Sequence, residues 1–140
     1  MRRLSILLLF AMLSPAAGAQ ALDYAFFRAR VQPIFLEKEP GHTRCVVCHS
    51  DRSNNAFRLE ALAPGAKAWT EEQSRRNFEM ASRLVVPGDA RAGLLLMHPL
   101  APEAGGDAYH SGGRQFASRD DPRWQILSRW AQGRISDKGN

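Results

Sequence analysis

Cys45-Val46-Val47-Cys48-His49 gathers the reactive side chains of this chain into five residues. The pattern C-x-x-C-H is the attachment sequence for c-type haem. Two thiols three positions apart can each form a thioether with a vinyl group on the same porphyrin edge. The adjoining imidazole reaches the iron from one face as its proximal ligand. Cys45 and Cys48 are therefore expected to tether, and His49 to ligate. Rival chemistries fit these residues less well. A thioredoxin-like redox pair should follow a strand in a βαβ pattern, whereas Glu37 to Arg44 reads as a polar turn. A zinc site needs about four protein ligands. With only two cysteines, zinc would have to recruit two of His42, His49, His98 and His110.

An iron held from below by His49 has a second axial position, and its occupant decides the chemistry. A methionine raises the reduction potential, a second histidine lowers it relative to methionine, and an open position invites small ligands. The candidates are His42, Met80, Met97, His98 and His110. Met80 lies inside an expected helix and Met97 ends a short apolar one, positions where methionine is usually core filler. His42 belongs to the polar turn and is expected to face solvent. His98 is followed directly by Pro99. His110 precedes Ser111-Gly112-Gly113, where glycine lets backbone approach a flat ring without side-chain clash. A loop histidine is ordinarily exposed, so from these residues alone His110, Met97 and His98 all stay open.

The N-terminus predicts export. Arg2 and Arg3 form a positive start, Leu4 to Leu13 an apolar run, and Ser14 to Ala19 a small-residue exit, the anatomy of a secretory signal peptide. Cleavage is expected after Ala19, leaving residues 20–140 as one domain in the periplasm or beyond. The apolar run is about half the roughly 20 residues of a membrane span, and no later stretch is long or apolar enough to cross a bilayer. In an oxidising compartment a bare cysteine pair would tend to close; haem attachment would consume both thiols instead. Losing Arg2 and Arg3 lowers the formal charge from +5 to +3, so the basic composition says little about partners. The arginines are scattered and no nucleic-acid motif is present, which argues against DNA or RNA. So short a domain buries a modest core, and a bound haem would supply much of its interior.

The elements that must position these groups read as helices. Leu22 to Phe35 carries Asp23 in its first turn and Tyr24, Phe27 and Val31 on one face, with Pro33 expected to bend or end it. Ser50 to Asn55 is turn chemistry. Phe57 and Leu59 then alternate with Arg58 and Glu60, an extended piece expected to lay two apolar side chains on the haem edge. Thr70 and Gln73 form a capping box, opening a helix to about Leu84 with Phe78, Ala81, Leu84 and Val85 on its inner side and Trp69 just before it. Asp89 is expected to cap a helix from Ala90 to about Met97. From His98 to Asp120, prolines and paired glycines rule out long regular structure. Asp121-Pro122 starts a last helix that buries Trp124, Leu127, Trp130 and Ala131 and ends at Gly133, with Ser136 to Asn140 expected to fray.

The mature chain resembles class I monohaem cytochromes c. Val31-x-Pro33-Ile34-Phe35 ahead of Cys45–His49 is similar to the first helix of many bacterial members. Pro87-Gly88-Asp89, Leu94-Leu95, His110-x-Gly112-Gly113, Asp120-Asp121-Pro122 and Trp130 resemble a bacterial subgroup. In it a His-Gly-Gly-type segment stands where other members carry a Met-Pro ligand loop. The resemblance implies an all-α domain wrapped around one covalent haem c, with its first and last helices packed together. It also implies His110 as the sixth ligand beside His49. The expected function is an exported carrier or relay of single electrons between redox partner proteins, and not an enzyme. The alternative is a haem-based small-ligand binder or peroxidase-like protein with a displaceable sixth ligand, for which Tyr109, His110 and Arg114 offer distal donors. For the propionates, Arg114, Arg119 and the Trp69 indole match by type, but each is expected to be a surface or packing residue and none is assigned to the site.

Overall fold

In the computed structural model the described residues are 21–50, 54–89, 91, 93–110 and 112–133. The expected signal peptide and the expected fraying tail both lie outside them. The regular elements among the described residues are all helical, with no strand among them and only two isolated bridges, Val86 with Asp89 and Leu100 with Phe116. The domain is all-α, as the periodicities predict. No helix among the described residues is long and apolar enough to cross a membrane.

The first helical segment shows how one proline reshapes a helix without stopping it. The Asp23 carboxylate accepts from the Phe26 N–H at 2.6 Å and caps α1, Tyr24–Phe26. Pro33 has no N–H with which to continue the i→i−4 ladder. The chain widens into a π turn over Phe27–Val31, with the Gln32 N–H reaching back to the Phe27 carbonyl. It then tightens into a 3-10 turn over Gln32–Phe35. Through both turns Phe27, Val31, Ile34 and Phe35 stay buried.

A single helical turn, α2, spans Cys45–His49. The next helix, α3 (Glu71–Ser82), opens on the expected box. The Thr70 hydroxyl accepts from the Gln73 N–H at 3.2 Å, and the Gln73 side chain accepts from the Thr70 N–H at 3.1 Å. Trp69 is buried, and its indole N–H donates to the Glu60 carbonyl at 2.7 Å. The inner face of α3 is more polar than its apolar spacing suggests. Ser74 and Asn77 are fully buried beside Ala81, while Leu84 and Val85 lie beyond the helix end. Ser74 accepts from the Gln32 amide at 3.0 Å, and Asn77 accepts from the Glu60 N–H at 2.8 Å.

Two expectations are corrected. The helix before His98 is α4, Leu94–Met97, capped by Gly93 and not by Asp89. At Gly93 the chain lies directly on the α3 exit: a Cβ there would sit 2.9 Å from the Val85 Cα and 3.0 Å from the Leu84 carbonyl. The Leu95 N–H donates to that carbonyl. Asp89 caps only a local turn, accepting from the Arg91 N–H. The second correction concerns Leu59, which is sunk in the core, while Phe57 alone turns toward the cavity described below.

The last helix, α5 (Pro122–Ala131), has Asp121 as its cap and buries Trp124, Leu127, Trp130 and Ala131 as expected. Gly133, at φ 65°, takes the left-handed conformation that ends it. Trp130 joins the helices: its ring centroid lies 5.2 Å from that of Phe27 and 6.0 Å from that of Phe78. Its indole N–H donates to the Asp23 carbonyl at 3.0 Å. Trp130→Ala is therefore expected to cost about 3–5 kcal/mol of stability, measured by denaturant unfolding.

Candidate functional site

The α2 turn arranges the reactive residues. Side chains at i, i+3 and i+4 of a helix share one face, so Cys45, Cys48 and His49 all look the same way. Val46 points away into the core. All three reactive side chains line a cavity of about 410 Å³, within the roughly 300–1,000 Å³ typical of cofactor and ligand sites. Its walls are mostly apolar: Ile34 and Phe35 from the first helical segment, Phe57, Leu94 and Leu95 from α4, Phe116, and Leu127 from α5.

Across this space stands His110. Its ring centroid is 6.2 Å from that of His49, and the two ring planes lie within 10° of each other. Both imidazoles have a determined tautomer. Nδ1 of His49 is 2.9 Å from the Phe57 carbonyl and 3.0 Å from the Asn55 side-chain oxygen. A carbonyl can only accept, so Nδ1 carries the proton and Nε2 holds a free lone pair. The same reasoning applies to His110, whose Nδ1 donates to the Gly113 carbonyl at 2.5 Å. This is the outer-shell bonding that orients metal-binding histidines. Burial pushes the His110 imidazole below its ordinary pKa, with His49, His98 and Arg114 acting in the same direction against the Gly113 hydrogen bond. It is thereby kept neutral. Gly112 packs under the ring, where a Cβ would lie 3.3 Å from the His110 Cε1.

The other sixth-ligand candidates separate. His98 lines the cavity; His42, Met80 and Met97 do not. Met80 borders a separate surface cleft with Arg76 and Arg83. Among the described residues no three His, Cys, Asp or Glu side chains converge to hold a metal ion by themselves. The thiols are both free. Burial pushes Cys45 up to about 11, opposite to the lowered pKa of a catalytic redox cysteine.

Arg114, Arg119 and Trp69, which match propionate partners only by type, are engaged in structural hydrogen bonds. Arg114 donates to the His98 carbonyl at 2.8 Å, Arg119 to the Ala104 carbonyl at 3.0 Å, and Trp69 to Glu60. Sequence reasoning missed the groups that brace the site. The Phe57 and Gly113 carbonyls leave no signature in a sequence. Nor does the clamp at Arg123, which pairs with Glu39 at 2.8 Å and Asp121 at 2.7 Å. That clamp ties the segment before α2 to the start of α5. Gln115 adds a bond from its amide to the Thr43 carbonyl at 3.2 Å.

No protein-family model, curated protein or solved structure matches this chain. One outcome follows from the site alone. In the chain with both thiols free, alkylation of Cys45 should be slow at neutral pH and should rise about tenfold per pH unit toward pH 11, because only the thiolate reacts. Peptide mapping after timed alkylation measures this. Cys48, which is exposed, should be labelled first.

Proposed function

We propose that this chain is an exported monohaem c-type cytochrome, with a cytochrome c-like fold, that carries or relays single electrons through one covalently attached haem. One observation carries the reading: the C-x-x-C-H turn and the His110 imidazole face each other across an apolar cavity at the separation of two donors on one metal. An imidazole nitrogen binds a first-row metal at about 2 Å, and each ring centre lies about 1.1 Å further on, so two trans imidazoles stand roughly 6 Å apart. The His49–His110 separation is 6.2 Å. The packing of Trp130 on Phe27, first helix against last, supports the fold assignment.

In this reading Cys45 and Cys48 would tether the haem, and Nε2 of His49 and Nε2 of His110 would hold its iron. Phe57, Leu95, Phe116 and Leu127 exclude water from the ring faces. Haem bound there supplies an iron that takes up and returns one electron. With both axial donors held by carbonyls, neither needs to move as the charge changes, and no substrate site is required. Val47, 54% exposed, and exposed Cys48 mark where the tethered edge would meet solvent. A redox partner docking there would make a small, transient interface. The leader sequence supports a periplasmic or exported location.

The second reading, a small-ligand binder, draws on one observation: His110 sits on a short turn and is only half-buried. Three measurements test the proposal. The mature secreted protein should weigh one haem more than its amino acids. Its ferric spectrum should lack a methionine–iron charge-transfer band, and His110→Ala should change the axial electron paramagnetic resonance signature. Reduced wild type should not bind carbon monoxide at neutral pH; fast, tight binding would favour the ligand binder. A mature chain with no added mass would overturn both.

A further inference from the structure

The cavity holds one more prepared imidazole than a two-donor site uses. We infer that His98 is a reserve ligand for the haem face that His110 occupies, so that the sixth position can pass between two imidazoles without falling vacant. The inference rests on the haem reading above.

His98 is built as a ligand is built. Its buried Nδ1 lies 2.5 Å from an Asp107 carboxylate oxygen and has no other polar partner among the described residues. A carboxylate beside Nδ1 orients the ring and turns Nε2 toward the open side as the donor atom. Asp107 is itself held, its N–H donating to the Met97 carbonyl at 3.0 Å. The His98 backbone is anchored at both ends of the peptide group: its N–H goes to Leu94 at 3.1 Å, and its carbonyl accepts from Arg114 at 2.8 Å. The side chain lines the cavity beside His110, with ring centroids 6.4 Å apart and planes 20° apart. It is about half exposed and forms no part of the core, so packing does not explain this bracing.

His110 is held differently. Among the described residues, the hydrogen bonds of the 109–113 turn close on the turn itself: His110 Nδ1 to the Gly113 carbonyl, and the Gly113 N–H to the His110 carbonyl at 3.0 Å. Among the described residues of this turn nothing bonds it to the body of the domain, so His110 can leave the cavity wall without breaking such a bond. His98, fixed at the end of α4, then offers the nearest free imidazole nitrogen. In the exchange Nε2 of His110 withdraws and Nε2 of His98 donates in its place. The exchange would replace one imidazole nitrogen by another, and no electron is transferred in it.

The test uses the purified, haem-loaded protein and its His110→Ala, His98→Ala and double variants, read by electron paramagnetic resonance at neutral pH and by carbon monoxide binding after reduction. His110→Ala is expected to stay low-spin with a shifted signature. His98→Ala is expected to match wild type. The double variant is expected to lose the low-spin signal and bind carbon monoxide. Should His98→Ala fail to fold, His98→Gln, which keeps a polar end of similar reach, takes its place in both arms. A high-spin, carbon monoxide-binding His110→Ala overturns the inference while leaving the haem reading intact. So does a double variant that stays low-spin. If His98→Ala alters the signature while His110→Ala does not, His98 is the resting ligand and there is no reserve. A wild type without attached haem overturns the underlying reading, and this one with it.

Discussion

Trp130 closes the chain on itself. Its indole N–H reaches the carbonyl of Asp23, more than a hundred residues earlier, and its ring packs on Phe27 and Phe78. Bringing such distant segments together has an entropic cost that grows only slowly with loop length, and burying three large aromatic rings offsets it. The helices and loops between the two ends of the chain are then hung on that contact. The α2 turn, the α4 corner and the His110 turn are three of them, and their meeting makes the cavity. The first segment accommodates Pro33 by a π turn and a 3-10 turn because Phe27 must face Trp130 while Ile34 and Phe35 must face the cavity. A regular helix would not present both sets at those angles.

The site's chemistry is decided one shell out. Three imidazoles line the cavity: His49 Nδ1 meets the Phe57 carbonyl and the Asn55 side-chain oxygen, His110 Nδ1 donates to the Gly113 carbonyl of its own turn, and His98 Nδ1 lies beside the Asp107 carboxylate. The result is a set of imidazoles each oriented at Nδ1 by a neighbouring oxygen, where side-chain rotation alone would leave them loosely held. The cysteines follow the opposite logic. Cys45 is kept protonated by burial, the opposite of the thiolate that a cycling redox cysteine presents.

The rim is braced by charge where the walls are apolar. Arg123 is mostly buried and joins Glu39, Asp121 and the Gln115 carbonyl, with its guanidinium 5.5 Å over the Phe116 ring. It draws the segment before α2 toward the segment after His110. Surface pairs such as Arg75 with Glu71 contribute little by comparison, since solvent screens them. At the mouth, Tyr109 and Leu94 remain exposed, apolar surface that a flat partner in the cavity would cover.

The sequence by itself determined what depends on near neighbours. The Thr70–Gln73 box, the Asp121-Pro122 start, the Gly133 stop and the apolar stripe of the last helix all follow from bonds and spacings within a few residues, and all stand in the structure. So does the shared face of Cys45, Cys48 and His49, given one helical turn. The start of α4 was not legible, because Gly93 is set by contact with Val85 and not by its own flanks. Nor was the buried polar edge of α3, since Ser74 and Asn77 are inside only because Gln32 and Glu60 come to meet them. Tertiary structure alone decided that His110 stands opposite His49, that Leu59 turns to the core, and that His98 has Asp107 behind it. The physical reason is the same in each case: a hydrogen bond or a contact between segments far apart in the chain has no local periodicity, and it exists only once packing has fixed the distance between them.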